Sequence, residues 1–177
     1  MKNKSTLLIL VLLLIIAFLI VLINTVAAPF RSLLTEDYAK LRVSIFTLHA
    51  MLEEVGKNQL QPGSHESYEI MDQLQVLQEK WVRLSSLFLK SYPERSESEQ
   101  YLLNTMLWMG DFNKEISIEE AYQKLPELKD KISRIYAIFY PNGEAEEKVS
   151  NPSVLISLRF STDLNETLLQ VHQILAE

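Results

Sequence analysis

Leu7 to Ile23 form 17 consecutive apolar residues with no polar position on any helical face. From Leu34 onward the pattern changes, and apolar positions recur every three or four residues among polar ones. The two patterns call for different solvents. At ~1.5 Å per residue, a 17-residue helix covers about 25 Å. Thr6 before the run and Thr25-Val26-Ala27-Ala28 after it bring the length near the ~30 Å hydrocarbon core of a bilayer. A helix in a soluble core keeps a polar edge, and this one has none.

A cleavable signal peptide is the rival reading. Val26-Ala27-Ala28 offers a small-residue pattern of the kind signal peptidase reads. Pro29 would then follow the cut, which is a poor substrate geometry, and the run exceeds the ~7–15 residues usual for a signal peptide. An uncleaved signal-anchor fits better. Lys2 and Lys4 precede the run, whereas Arg31 beyond it is soon answered by Glu36 and Asp37. The positive-inside rule therefore puts the N-terminus in the cytoplasm. The expected organisation is a short cytoplasmic tail over 1–5, a transmembrane signal-anchor over 6–28 and an extracytoplasmic helical domain over 29–177, with loops near 56–64, 110–117 and 140–152.

In the body, Leu34, Tyr38, Leu41, Ile45, Leu48, Leu52 and Val55 step by 4 and 3 alternately. Such an a/d stripe belongs to a helix packing lengthwise on others. Thr35 is its expected N-cap and Gly56 its C-terminal cap. Ile70, Leu74, Leu77, Trp81, Leu84 and Phe88 repeat the stripe in a second helix over about 64–90, with Trp81 read as core. Ser96 with Glu99, and Ser117 with Glu120, are spaced as capping boxes for two more helices. Gly110 is the expected stop of the third. Ala121, Leu125, Leu128, Ile132, Ile135 and Phe139 mark the fourth, with Pro126 predicting a kink or a break. Acidic, turn-rich residues 141–151 predict a mobile loop. Asn151-Pro152 reads as cap and first helical residue, and Leu164, Leu168, Val171 and Leu175 mark a last helix. Ile156, Leu158 and Phe160 also alternate like a strand, but a lone strand has no partner. The fold class is all-α: one N-terminal transmembrane helix followed by an antiparallel four- to five-helix bundle.

Composition agrees with this and removes some functions. Four Gly and six Pro are too few for a loop-rich fold. The formal charge is −6, and without Lys2 and Lys4 the remainder carries −8. An acidic body lacks the basic surface that nucleic acid requires. The absence of cysteine removes disulfides and thiolate chemistry.

Candidate chemistry is sparse. His49, His65 and His172 have no second histidine at i+3 or i+4, and read as partly exposed helix residues. Glu53-Glu54, Glu119-Glu120 and Glu146-Glu147 read as solvated faces, and no Glu-x-x-His pair of a di-iron bundle occurs. No catalytic residue, metal site or cofactor is expected. Asn165-Glu166-Thr167 matches a glycosylation sequon inside a predicted helix. Met106, Trp108, Met109 and Phe112 bracket Gly110 and would form a partner site if exposed; core or cap packing is the plainer reading.

The favoured function is an interaction or assembly (adaptor) module. It would touch lipid through 6–28 and bind another membrane or envelope protein, or a second copy through an open stripe such as Leu34 to Val55. The alternative is an extracytoplasmic ligand-binding or sensory bundle working through a separate signalling partner. Its layout is similar to the outer bundles of bacterial chemoreceptors and sensor kinases, without their motifs, second span or output domain. The anchor has a direct check: the protein should stay in membranes through alkaline carbonate washing and should retain Met1. Soluble protein beginning at Pro29 would contradict it.

Overall fold

A computed structural model describes residues 2–55, 60–92, 95–141 and 158–177. It contains five helices: α1 Lys2–Val55, α2 His65–Phe88, α3 Arg95–Asn113, α4 Ile118–Phe139 and α5 Leu158–Ala176. Among the described residues there is no strand, so the chain is all-α, and Leu158 and Phe160 belong to a helix. Gly56, the Asn151-Pro152 cap and most of the expected mobile loop lie outside the described residues.

α1 departs from expectation. It continues through Pro29 and Thr35 as one helix of 54 residues, with no new start at Thr35. Proline removes one amide donor and crowds the carbonyl four residues back. Restarting a helix costs a nucleation step, whereas continuing it costs only the lost bond. The amphipathic stripe begins one turn past Pro29, so continuation wins. Ile9 to Val26 are exposed on all sides, with Leu14 63 % and Phe18 65 % accessible. This helix is long and apolar enough to cross a membrane.

Other local signals were also overridden. Pro126 lies inside an unbroken α4; its ring faces solvent while Leu125 and Leu128 on either side are buried. α3 runs past Gly110 to Asn113, held by burial of Phe112 and by the Asn113 amide, which donates to the Ser67 carbonyl. Ser96 lies within α3 rather than capping it, and Glu99 instead accepts from the Ser85 hydroxyl and pairs with Arg95. Ser117 does occupy the cap position of α4. Its φ of 53° is left-handed, its hydroxyl makes no capping bond, and Glu120 pairs with Lys124. Ser64, at the expected start of the second helix, caps α2 by accepting from the Ser67 amide at 3.2 Å.

The helices run antiparallel in sequence, with α1 against α2 and α4. Leu41, Ile45, Leu48, Ile70, Leu74, Trp81, Leu84, Leu102 and Phe112 are completely buried in one core. Each such side chain gains ~1.5–3 kcal/mol on leaving water. The stripe from Leu34 to Val55 is thereby used inside the protomer. α5 packs against α3, α4 and α2. It meets α3 and α4 through His172 beside Ser98 and Leu175 beside Lys131. Farther from the apolar span, α3 and α4 touch directly, with Phe112 edge-on to Tyr122 at 5.7 Å. α3 stays beside α2 along its length, from Ser98 at Trp81 to Asn113 at Ser67.

Polar groups tie these helices together. Asp37, 2 % exposed, receives both bonds from one Arg83 guanidinium nitrogen at 3.2 and 3.1 Å, with Lys80 at 3.4 Å. The Trp81 indole donates to Ser98 Oγ at 3.0 Å, and His172 Nδ1 lies 3.0 Å from the same oxygen. Lys131 sits 3.8 Å above the Tyr101 ring.

Burial raises the phenol pKa of Tyr38, and burial followed by the nearby Glu127 carboxylate raises that of Tyr101. Lys80 is raised too, first by its hydrogen bond to Glu79. A folded pKa above the unfolded value gives stability that is complete below the unfolded pKa and lost as pH rises through the folded one. The urea midpoint should therefore fall above about pH 10, the unperturbed phenol range. Tyr101→Phe should shift that fall to higher pH; an unmoved alkaline limb would show that Tyr101 does not contribute to it.

Candidate interaction surface

The four apolar residues bracketing Gly110 divide unequally. Trp108 is 8 % exposed, while Met109 and Phe112 are fully buried. Met106 is partly buried and packs against the core. Core packing, the plainer reading, is what this burial supports for Trp108, Met109 and Phe112. Phe112 is turned inward because α4 presents the Tyr122 ring to it.

The outer face of α3 carries different residues. Leu103 is 40 % and Leu107 60 % exposed, one turn apart. Gly110 follows at the next turn on the same face, and a Cβ placed there would meet nothing within 4 Å. Met106 borders this strip. Polar neighbours frame it: Gln100 donates to Asn104 at 2.9 Å, and Lys114 lies exposed beyond Gly110. An aliphatic centre, a polar frame and a site without a side chain suit close approach by another helix. Sequence reading missed Leu103 and Leu107 because both Trp and Met lie nearby and draw attention. The available signal was their i, i+4 spacing, off the line through Leu102, Met106 and Met109.

A second apolar seam runs between α1 and α4. Phe46 is 38 % exposed, but its ring is engaged by Tyr136 at 6.1 Å and Tyr140 at 5.7 Å. His49 stacks on Tyr136 at 4.0 Å, and Arg42 lies over Tyr140 at 5.0 Å. These groups largely satisfy one another.

The histidines fall in three environments. His65 is exposed, 3.2 Å from Glu69. His49 is partly buried in its stack. His172, expected to be partly exposed, is 4 % exposed beside Ser98. Ser98 is itself fully buried, and its hydroxyl also accepts from Trp81 and donates to the Arg95 carbonyl. A hydroxyl so enclosed has no approach for a substrate, and the cluster acts as a joint between α2, α3 and α5. Among the described residues, no group of three or more His, Cys, Asp or Glu is placed to hold a metal ion. A cleft of about 240 Å³ at the far end is lined by Leu52, Val55, Leu60, Tyr122, Leu125 and Pro126. It is smaller than the ~300–1,000 Å³ usual for a drug-sized ligand.

No family model matches the chain, and neither any curated protein nor any solved structure matches it.

Leu107→Glu should leave stability within about 0.5 kcal/mol of the parent, as surface substitutions do. Met109→Ala, emptying a buried position, should cost on the order of 2–5 kcal/mol. Urea denaturation of the two variants checks the contrast, and equal losses would place Leu107 in the core.

Proposed function

We propose that this chain is a single-pass membrane protein whose bundle serves as an adaptor, gripping another membrane or envelope protein through the outer face of α3. The carrying observation is that Leu103 and Leu107 remain exposed on a helix whose Leu102, Trp108, Met109 and Phe112 are buried. The unbroken α1 supports the same reading, because it joins this bundle to the apolar span with no joint between. Lys2 and Lys4 ahead of the span favour a cytoplasmic N-terminus and an extracytoplasmic bundle. The net negative charge disfavours nucleic acid as the partner. A partner helix laid along α3 would bury both leucines and use Gly110 for close approach.

The test is photocrosslinking from position 107 of the full chain in native membranes, read by mass spectrometry. The expected result is an adduct with one other membrane or envelope protein that Leu103→Glu abolishes. Adducts only with itself, or adducts unchanged by Leu103→Glu, would overturn the adaptor reading. Protease added outside spheroplasts should digest the bundle; full protection would reverse the topology. A melting temperature raised by a small metabolite would move the function to ligand sensing.

A further inference from the structure

The ion pair at Asp37 gives a height scale along the bundle. Asp37 on α1 and Arg83 on α2 are in direct contact, and the two helices run antiparallel. Leu87 lies four residues beyond Arg83, and Leu33 lies four residues before Asp37. Both therefore sit about 6 Å nearer the apolar span, at ~1.5 Å per residue. Leu33 is 43 % and Leu87 45 % exposed, and in the turn that follows Tyr92 is 38 % exposed. Lys90 between them is exposed as well, while Leu89 is completely buried and pins the turn.

The apolar stretch ends at Ala28, five residues before Leu33. That separation is about 7 Å along the helix. A headgroup layer is roughly 5–8 Å thick on each side of the hydrocarbon. Leu33 and Leu87 thus stand at the outer edge of that layer, and the turn carrying Lys90 and Tyr92 follows directly from this end of α2.

The chemistry of the turn suits that depth. Tyrosine is enriched where hydrocarbon meets water, because its ring is apolar and its hydroxyl is not. Lysine lays its methylene stem along apolar surface and keeps its ammonium among phosphates. Three of its amides are bonded within the chain: the Leu89 amide donates to Ser85 at 2.8 Å, the Tyr92 amide to Leu89 at 3.0 Å and the Arg95 amide to Tyr92 at 3.3 Å. Each amide so bonded lowers the cost of entering a poorly hydrated layer. The opposite end differs. There the α3–α4 turn exposes one apolar side chain, Ile116, among exposed Lys114, Glu115 and Glu119.

We infer that the span-proximal end of the bundle is seated on the phospholipid surface, with Leu87, Lys90 and Tyr92 inserted into the headgroup layer. The inference rests on the reading that the apolar half of α1 lies in a bilayer. This end of the bundle is the one that faces the apolar half of α1, so the occupant is lipid. The seat holds the bundle close to the membrane and leaves the α3 leucines facing sideways, along the membrane plane.

The chain contains no cysteine, so single-cysteine variants can carry an environment-sensitive fluorophore. Leu87→Cys, Tyr92→Cys, Leu107→Cys and Val21→Cys would be labelled in the full chain and reconstituted into phosphatidylcholine–phosphatidylglycerol vesicles. Labels at 87 and 92 should show blue-shifted emission and lose intensity to headgroup-level nitroxide lipids. The label at 107 should be unquenched, and that at 21 should be quenched most by nitroxides deep in the acyl chains. If 21 is quenched but 87 and 92 are as open to water as 107, the seat is overturned and the anchor stands. If 21 itself is open to water, the anchor reading falls and the seat with it.

Discussion

Asp37 is the first fully buried residue of α1 among those described, and it is a charged one. Ile9 to Val26 show their side chains to the surroundings on every face; from Leu34 onward one stripe enters the core. A carboxylate taken out of water must be met by cations. α2 therefore has to bring Lys80 and Arg83 to this height, and a slip of one turn would leave all three groups mismatched. The next residue, Trp81, carries the register onward. Its indole reaches Ser98 on α3, and Ser98 reaches His172 on α5. Replacing a buried ion pair wholesale with apolar groups is often neutral for stability, so its weight here lies in alignment. One contact at the base of the bundle sets the heights of four helices.

Much of this was legible in the residues. The 4,3 spacing from Leu41 to Leu52 and from Ile70 to Leu84 names the positions that are buried, because such a stripe stays on one side of its helix. What failed were punctuation marks read in isolation. Gly110 argues for an end and Pro126 for a kink or a break, yet both are flanked by apolar turns that continue on both sides, and neither ends its helix. Burial of Phe112 or Leu128 outweighs one missing amide or one flexible residue. Ser96 fails as a cap for a related reason, since the helix begins one residue earlier and Glu99 has better partners in Arg95 and Ser85.

The surface was harder to read than the core. Met106, Trp108, Met109 and Phe112 lie around more than one side of a helix, and composition alone cannot say which side faces in. Burial takes the large aromatic residues and leaves the two leucines outside. The Ser98–His172 contact joins residues 74 positions apart, and no local spacing announces it. A single sequence records which face of a helix is greasy; it does not record which helix arrives there.

The unbroken α1 makes the protein a lever. From Pro29 to Val55 the helix is 27 residues long, about 40 Å at ~1.5 Å each. A transmembrane helix leaning by ~20°, the usual angle, would carry the far end sideways by about 14 Å. Bilayer thickness sets how far an over-long apolar segment leans. With no hinge to absorb that lean, a thicker or thinner bilayer would point the whole bundle differently, making lipid composition an input to where the protein reaches.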